Sequence, residues 1–134
     1  MPISYQIDAE KNLIRTKAVG QLTLQEVVNH FRTLAEDAQR PEGPDVFLDL
    51  SEVTSVPGIQ QLSIVVGEMK KIGVKLRFGA CAILVSRDAL FGMMRMFEAH
   101  AEEFFRETRT FRDATEALAW LVSRQSLAEQ KRAD

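Results

Sequence analysis

The sequence predicts a single α/β domain: about five strands in a mostly parallel sheet, an N-terminal antiparallel hairpin, and four main helices packed mainly on one face. Three observations predict it. Val46-Phe47-Leu48-Asp49-Leu50 and Ala80-Cys81-Ala82-Ile83-Leu84-Val85 are short and almost wholly apolar, as strands covered on both faces are. Stretches with apolar residues at helical spacing alternate with them. The 134 residues are 46% hydrophobic and 27% charged, enough apolar material for one core without a disulfide or metal.

The elements follow in order. Ile3, Tyr5 and Ile7 alternate with polar residues and predict a half-buried strand. The polar turn Asp8 to Asn12 leads to a second strand, Leu13 to Val19, so the pair is expected to form a hairpin. Arg15 and Lys17 share a face there and are expected to meet water. Thr23 and Glu26 fit a capping box, in which each side chain satisfies a free N–H at the helix start. Leu24, Val27, Val28, Phe31, Leu34, Ala35 and Ala38 continue that helix at the right spacing. Pro41, Gly43 and Pro44 break it before the first buried strand.

After a polar turn from Ser51 to Ser55, Pro57 stands near the next helix start, where its missing N–H costs little. Ile59, Leu62, Val65, Val66, Met69 and Ile72 form the predicted stripe, and Gly73 is placed to stop it. After the second buried strand, Ser86 is expected to cap a long helix from Arg87 to Glu103. Phe105 to Phe111 is polar and alternating, as suits a sheet edge. Asp113 with Glu116 starts the last helix through Ala117, Leu118, Leu121 and Val122. Residues 1–122 are expected to be the domain and 123–134 a polar tail. If successive strands are neighbours, right-handed crossovers place their helices on one face. The other face then needs a cover: a terminal segment, a ligand or a second protein.

Composition narrows the function. Lys and Arg total 17 and Asp and Glu 19, a formal net charge of −2, so no nucleic-acid partner is expected. The lone Cys81 forms no intrachain disulfide, and the first residues lack the basic and apolar parts of a signal peptide. A cytoplasmic protein with no membrane span is expected.

No catalytic residue, metal site or cofactor is expected. His30 and His100 are isolated at the margins of helical stripes, without a ligand-type spacing. Cys81 sits inside an apolar strand, where a free thiol behaves as a small hydrophobe. No phosphate-cradling glycine loop and no nucleophile elbow is present. Asp49, an acid within an apolar strand, is expected to bond locally to the turn that follows. Ligands of open α/β sheets gather beyond the carboxyl ends of parallel strands. Ser51, Thr54, Ser55, Ser86 and Arg87 stand there and form a candidate site for a small anion, against ordinary turn and cap chemistry.

Two helices carry apolar residues off their core stripes. Phe91 and Met96 flank the face made by Leu90, Met93, Met94, Phe97, Ala101 and Phe104. Arg95 lies opposite that face, in a charge row with Glu98 and Glu102 or stacked on Phe91. Trp120 points away from Leu118, Leu121 and Val122, so that helix is buried from two sides or Trp120 belongs to an interface. Phe91, Arg95, Met96 and Trp120 are the candidate partner surface.

Three segments together resemble the SpoIIAA-like branch of the STAS superfamily, whose fold is shared with CRAL-TRIO (Sec14-like) domains. They are Asp49-Leu50-Ser51-Glu52-Val53-Thr54, Gly92-Met93-Met94-Arg95-Met96-Phe97, and Phe111-Arg112-Asp113 with Ala117-Leu118-Ala119-Trp120-Leu121. The resemblance covers about residues 3 to 122. It implies this fold, a bacterial source and a general binding or regulatory role, and with Phe91, Met96 and Trp120 off their core stripes a non-enzymatic module that dimerises or binds a protein is expected. Its alternative is a carrier or sensor of a small apolar or lipid-like ligand, which needs an internal cavity. Anti-anti-sigma members carry a phosphorylatable serine in an Asp-Ser-Ser-Gly-like context. Here the stretch reads Ser55-Val56-Pro57-Gly58-Ile59-Gln60, so that switch is not carried over.

Overall fold

The computed structural model describes residues 3–37, 39, 42–72 and 78–133, with side chains described outside 72 and 127–133. Among the described residues nine elements follow the expected order: β1 (Ile3–Asp8), β2 (Leu13–Gly20), α1 (Leu24–Glu36), β3 (Asp45–Val53), α2 (Ile59–Ile72), β4 (Phe78–Leu84), α3 (Asp88–Ala101), β5 (Phe105–Phe111) and α4 (Ala114–Ala133). The strands lie in sequence order across one sheet. β1 and β2 are antiparallel, with Ile3 opposite Ala18, and the other pairs are parallel. Among the described residues no helix is long and apolar enough to cross a membrane.

Sequential order with right-handed crossovers sends α1, α2 and α3 to one face. There Ile14, Ala18, Val46, Leu50, Cys81 and Ile83 from the strands meet Leu34, Leu62, Met69, Leu90, Met94 and Phe97 from the helices. The opposite face, Leu13, Phe47, Ala80, Ala82, Leu84 and Phe111, is covered by Ala117 and Leu121 of α4. The cover is thus the terminal segment of the chain. Alanines at 80 and 82, both fully buried, remove bulk from β4 where α4 lies on it.

α1 begins with the capping box: Glu26 N donates to Thr23 Oγ1 at 3.2 Å and Thr23 N to Glu26 Oε1 at 3.3 Å. Its stripe buries Val28 and Leu34 and partly buries Leu24, Val27, Phe31 and Ala35. Ala38, Pro41 and Gly73 lie outside the described residues.

Several boundaries differ from the sequence reading. β3 runs to Val53, because Val19 and Glu52 continue the β2 ladder through the expected turn. Ser86 does not cap α3; Arg87 holds that position without a side-chain bond, and Ser86 Oγ donates instead to Ser51 O at 2.7 Å. Ile59 is 62% exposed, one turn ahead of the buried Leu62, Val66 and Met69. α4 continues to Ala133, through the expected tail. Val122 is 64% exposed, whereas Trp120 packs at the edge of the α4 core. The Ala117–Leu121 ridge centres the contact and leaves Val122 beyond its flank.

Candidate functional site

The helices do not close fully on the sheet. A cavity of about 450 Å³ lies between them. Its floor is β2 and β3, through Thr16, Ala18, Leu48, Leu50 and Val53. Thr16 and Ala18 are small for strand positions beneath a helix layer, so the floor is low there. Val27, His30 and Phe31 of α1 and Leu62, Val65 and Met69 of α2 form two walls. Leu90, Met94 and Phe97 of α3 form a third. The loops around Leu22 and around Val56 and Pro57 border the end nearest the strands' carboxyl termini. The lining is mostly aliphatic and aromatic, and no Lys, Arg, Asp or Glu belongs to it among the described residues.

His30 is the titratable group of this wall. It stands between aromatic rings, with Tyr5 at 5.6 Å and Phe31 at 5.3 Å between centroids. Burial lowers its pKa from the ordinary 6.5 to about 4, so the ring is neutral at neutral pH. Tyr5 is anchored beside it, because its hydroxyl donates to Asp37 Oδ2. That bond, with a smaller contribution from burial, pushes the phenol up to about 12.

The sequence-predicted strand-end residues do come together, but mostly with one another and with the loops. Ser51 N and Oγ donate to Asp49 Oδ1 at 2.9 and 2.6 Å, the local bonding expected of Asp49. Ser86 bonds Ser51 O as above, and Arg87 Nη1 donates to Thr54 O at 3.0 Å. Ser55 Oγ accepts from Leu22 N at 3.0 Å. These bonds stitch the loops after β2, β3 and β4 together. Of the five residues, Ser55 lines the cavity. An anion there would compete with the stitching and meet the carboxylate of Asp49.

The candidate partner residues do not share one surface. Phe91, Arg95 and Met96 ride on α3, whereas Trp120 is on α4, across the sheet. Phe91 is half-buried, and the guanidinium covering its ring at 4.4 Å is that of Arg112, not Arg95. Arg112 is held there by Asp88 at 2.6 Å. Arg95 reaches Glu98 at 3.4 Å, the expected charge row. Met96 is 47% exposed. Trp120 lies 5.7 Å from the Phe111 ring, with the Arg124 guanidinium at 5.9 Å.

His100 is exposed on α3, away from the cavity walls. Cys81 is fully buried on β4, and burial, with Asp45 and Glu98 adding to it, pushes its thiol far up. A protonated thiol without access is a packing group. Among the described residues no group of three or more His, Cys, Asp or Glu could hold a metal ion.

The sheet order, its single antiparallel pair and the helices on both faces define a SpoIIAA-like α/β domain, hollow between sheet and helices. The chain belongs to the SpoIIAA-like family, whose model matches residues 13–122. Among solved structures it is similar to an uncharacterized protein from the DUF3478 family with a SpoIIAA-like fold from Shewanella loihica PV-4. That likeness has 21% identity and a TM-score of 0.60, over 89% of this chain and 93% of that one. No curated protein matches.

Proposed function

We propose that the protein is a non-enzymatic binding module, a carrier or sensor, that takes a small apolar ligand between its sheet and its α1–α2–α3 layer. The cavity of about 450 Å³ carries this reading. Its size lies within the ~300–1,000 Å³ of ordinary ligand pockets, and its lining is of their kind. A mostly apolar hollow, without charged groups among the described residues, is poorly suited to water and well suited to a hydrocarbon body. Protein docking is the less supported role, because Phe91 and Trp120 are largely covered by their own chain and lie on opposite sides of the sheet.

Titration with a neutral naphthylamine dye tests the reading. Saturable enhancement at one dye per chain is expected. Val65→Trp, which fills the cavity from the partly buried α2 wall, is expected to weaken dye binding at least tenfold, about 1.4 kcal/mol. Its circular dichroism should match that of the parent. An absence of saturable binding, or an unchanged affinity in a folded Val65→Trp, contradicts the proposal.

A further inference from the structure

We infer that the ligand of this cavity is an uncharged molecule that presents a hydrogen-bonding oxygen, an alcohol or carbonyl, to the hydroxyl of Thr16. The inference rests on the binding reading above and adds the polarity of what is bound. Thr16 sits on β2 between Ile14 and Ala18, on the face turned toward the helices. It is 2% exposed and lines the cavity, yet its Oγ1 has no hydrogen-bond partner among the described residues. A hydroxyl shut away from water and left unpaired is destabilising, and native folds rarely keep one without a reason. The β2 backbone is engaged by strands on both sides, so the main chain beside Thr16 is already paired.

Of the other polar groups of the lining, Gln21 is exposed and the rest are engaged or uncharged. Thr23 is in the capping box, Ser55 Oγ accepts from Leu22 N, and Gln61 Oε1 accepts from Gly58 N at 2.9 Å. The imidazole of His30 is uncharged in its aromatic setting. With no charged side chain in the lining among the described residues, an ionic head group carried inside would meet no compensating charge from them. Thr16 therefore offers a buried hydroxyl as an anchor on the floor of a mostly apolar chamber, complementary to a neutral amphiphile rather than to a carboxylate or a phosphate.

Butylbenzene, phenylbutanol and phenylbutyrate share a body and differ in the head, and each can be titrated against bound dye. Thr16→Val keeps the side-chain shape and removes the hydroxyl. It is expected to weaken phenylbutanol about tenfold and to leave butylbenzene unchanged or tighter. Thr16→Ser, which keeps the hydroxyl, should retain phenylbutanol binding and thereby control for disturbed packing. The unaltered protein should bind phenylbutyrate at least tenfold more weakly than phenylbutanol. Equal effects of Thr16→Val on alcohol and hydrocarbon overturn the inference while the apolar-ligand reading stands. Phenylbutyrate binding as tightly as the alcohol also overturns it. Failure of all three probes and of the dye overturns both.

Discussion

Gly79→Ala is expected to destabilise the fold by about 3 kcal/mol, a drop of about 10 °C in Tm. Gly79 is the second residue of β4 and faces the loop that leads into β3. A Cβ there would overlap Asp45 Oδ1 and stand 3.2 Å from Gly43 O. Asp45 is buried and its Oδ1 accepts from the N–H of the fully buried Ala80 at 2.8 Å. Asp45 N donates to Asn12 O at 2.9 Å, and Gly79 N to Pro44 O at 2.8 Å. Moving the carboxylate would leave the buried Ala80 N unpaired, which is the costly half of breaking such a bond. Gly43→Ala is the informative contrast. Gly43 has φ +58 and open space around its Cβ position, so only backbone strain is at issue, about 1 kcal/mol. Thermal or urea melts of the two variants separate the cases. A Gly79→Ala protein as stable as the parent contradicts the packing described.

Acidification from about pH 7 to about pH 5 is expected to remove about 2 kcal/mol of stability through His30 alone. The folded-state pKa of about 4 lies below the ordinary 6.5. Between these values the unfolded chain takes up a proton that the folded chain refuses, so stability rises with pH there. The contribution is complete above about 6.5 and is lost as pH falls toward 4. Carboxylates titrate in the same range, so the comparison is with His30→Gln, which keeps a polar side chain but no titrating ring. Denaturant melts should show the parent losing stability more steeply than His30→Gln over this interval. Parallel profiles would mean that His30 is not held neutral by burial between Tyr5 and Phe31.

Local signals were the legible part of the fold. The Thr23–Glu26 box depends on neighbours three apart, and the β3 and β4 runs are apolar wherever the rest of the chain lies. Asp113 likewise caps α4, accepting from Glu116 N at 3.0 Å. Features that depend on distant partners were not legible. Ser86 looks like a cap until Ser51 O, 35 residues away, is placed beside it. Asp45 reads as loop until Ala80 N meets its carboxylate. Trp120 falls outside a helical stripe drawn through Leu118, Leu121 and Val122, but α4 turns the Ala117–Leu121 ridge inward and brings the indole to Phe111. The cavity has no sequence pattern of its own. It arises because Thr16 and Ala18 are small at β2 positions that α1 and α2 roof over, and that distance is a tertiary quantity. Thr16 could be read only as an alternating strand residue, with nothing nearby to mark its hydroxyl as unpaired.

The binding claim is tested most directly by a methyl-resolved NMR titration of the intact chain with butylbenzene. Methyl signals of Leu48, Val65 and Leu90, from the floor and two walls, should move together and saturate at one equivalent. Those of Leu13 and Leu121, on the α4 side of the sheet, should stay in place. Shifts centred on Leu13 and Leu121, or no saturable shift at all, would contradict a ligand chamber between the sheet and its three-helix layer.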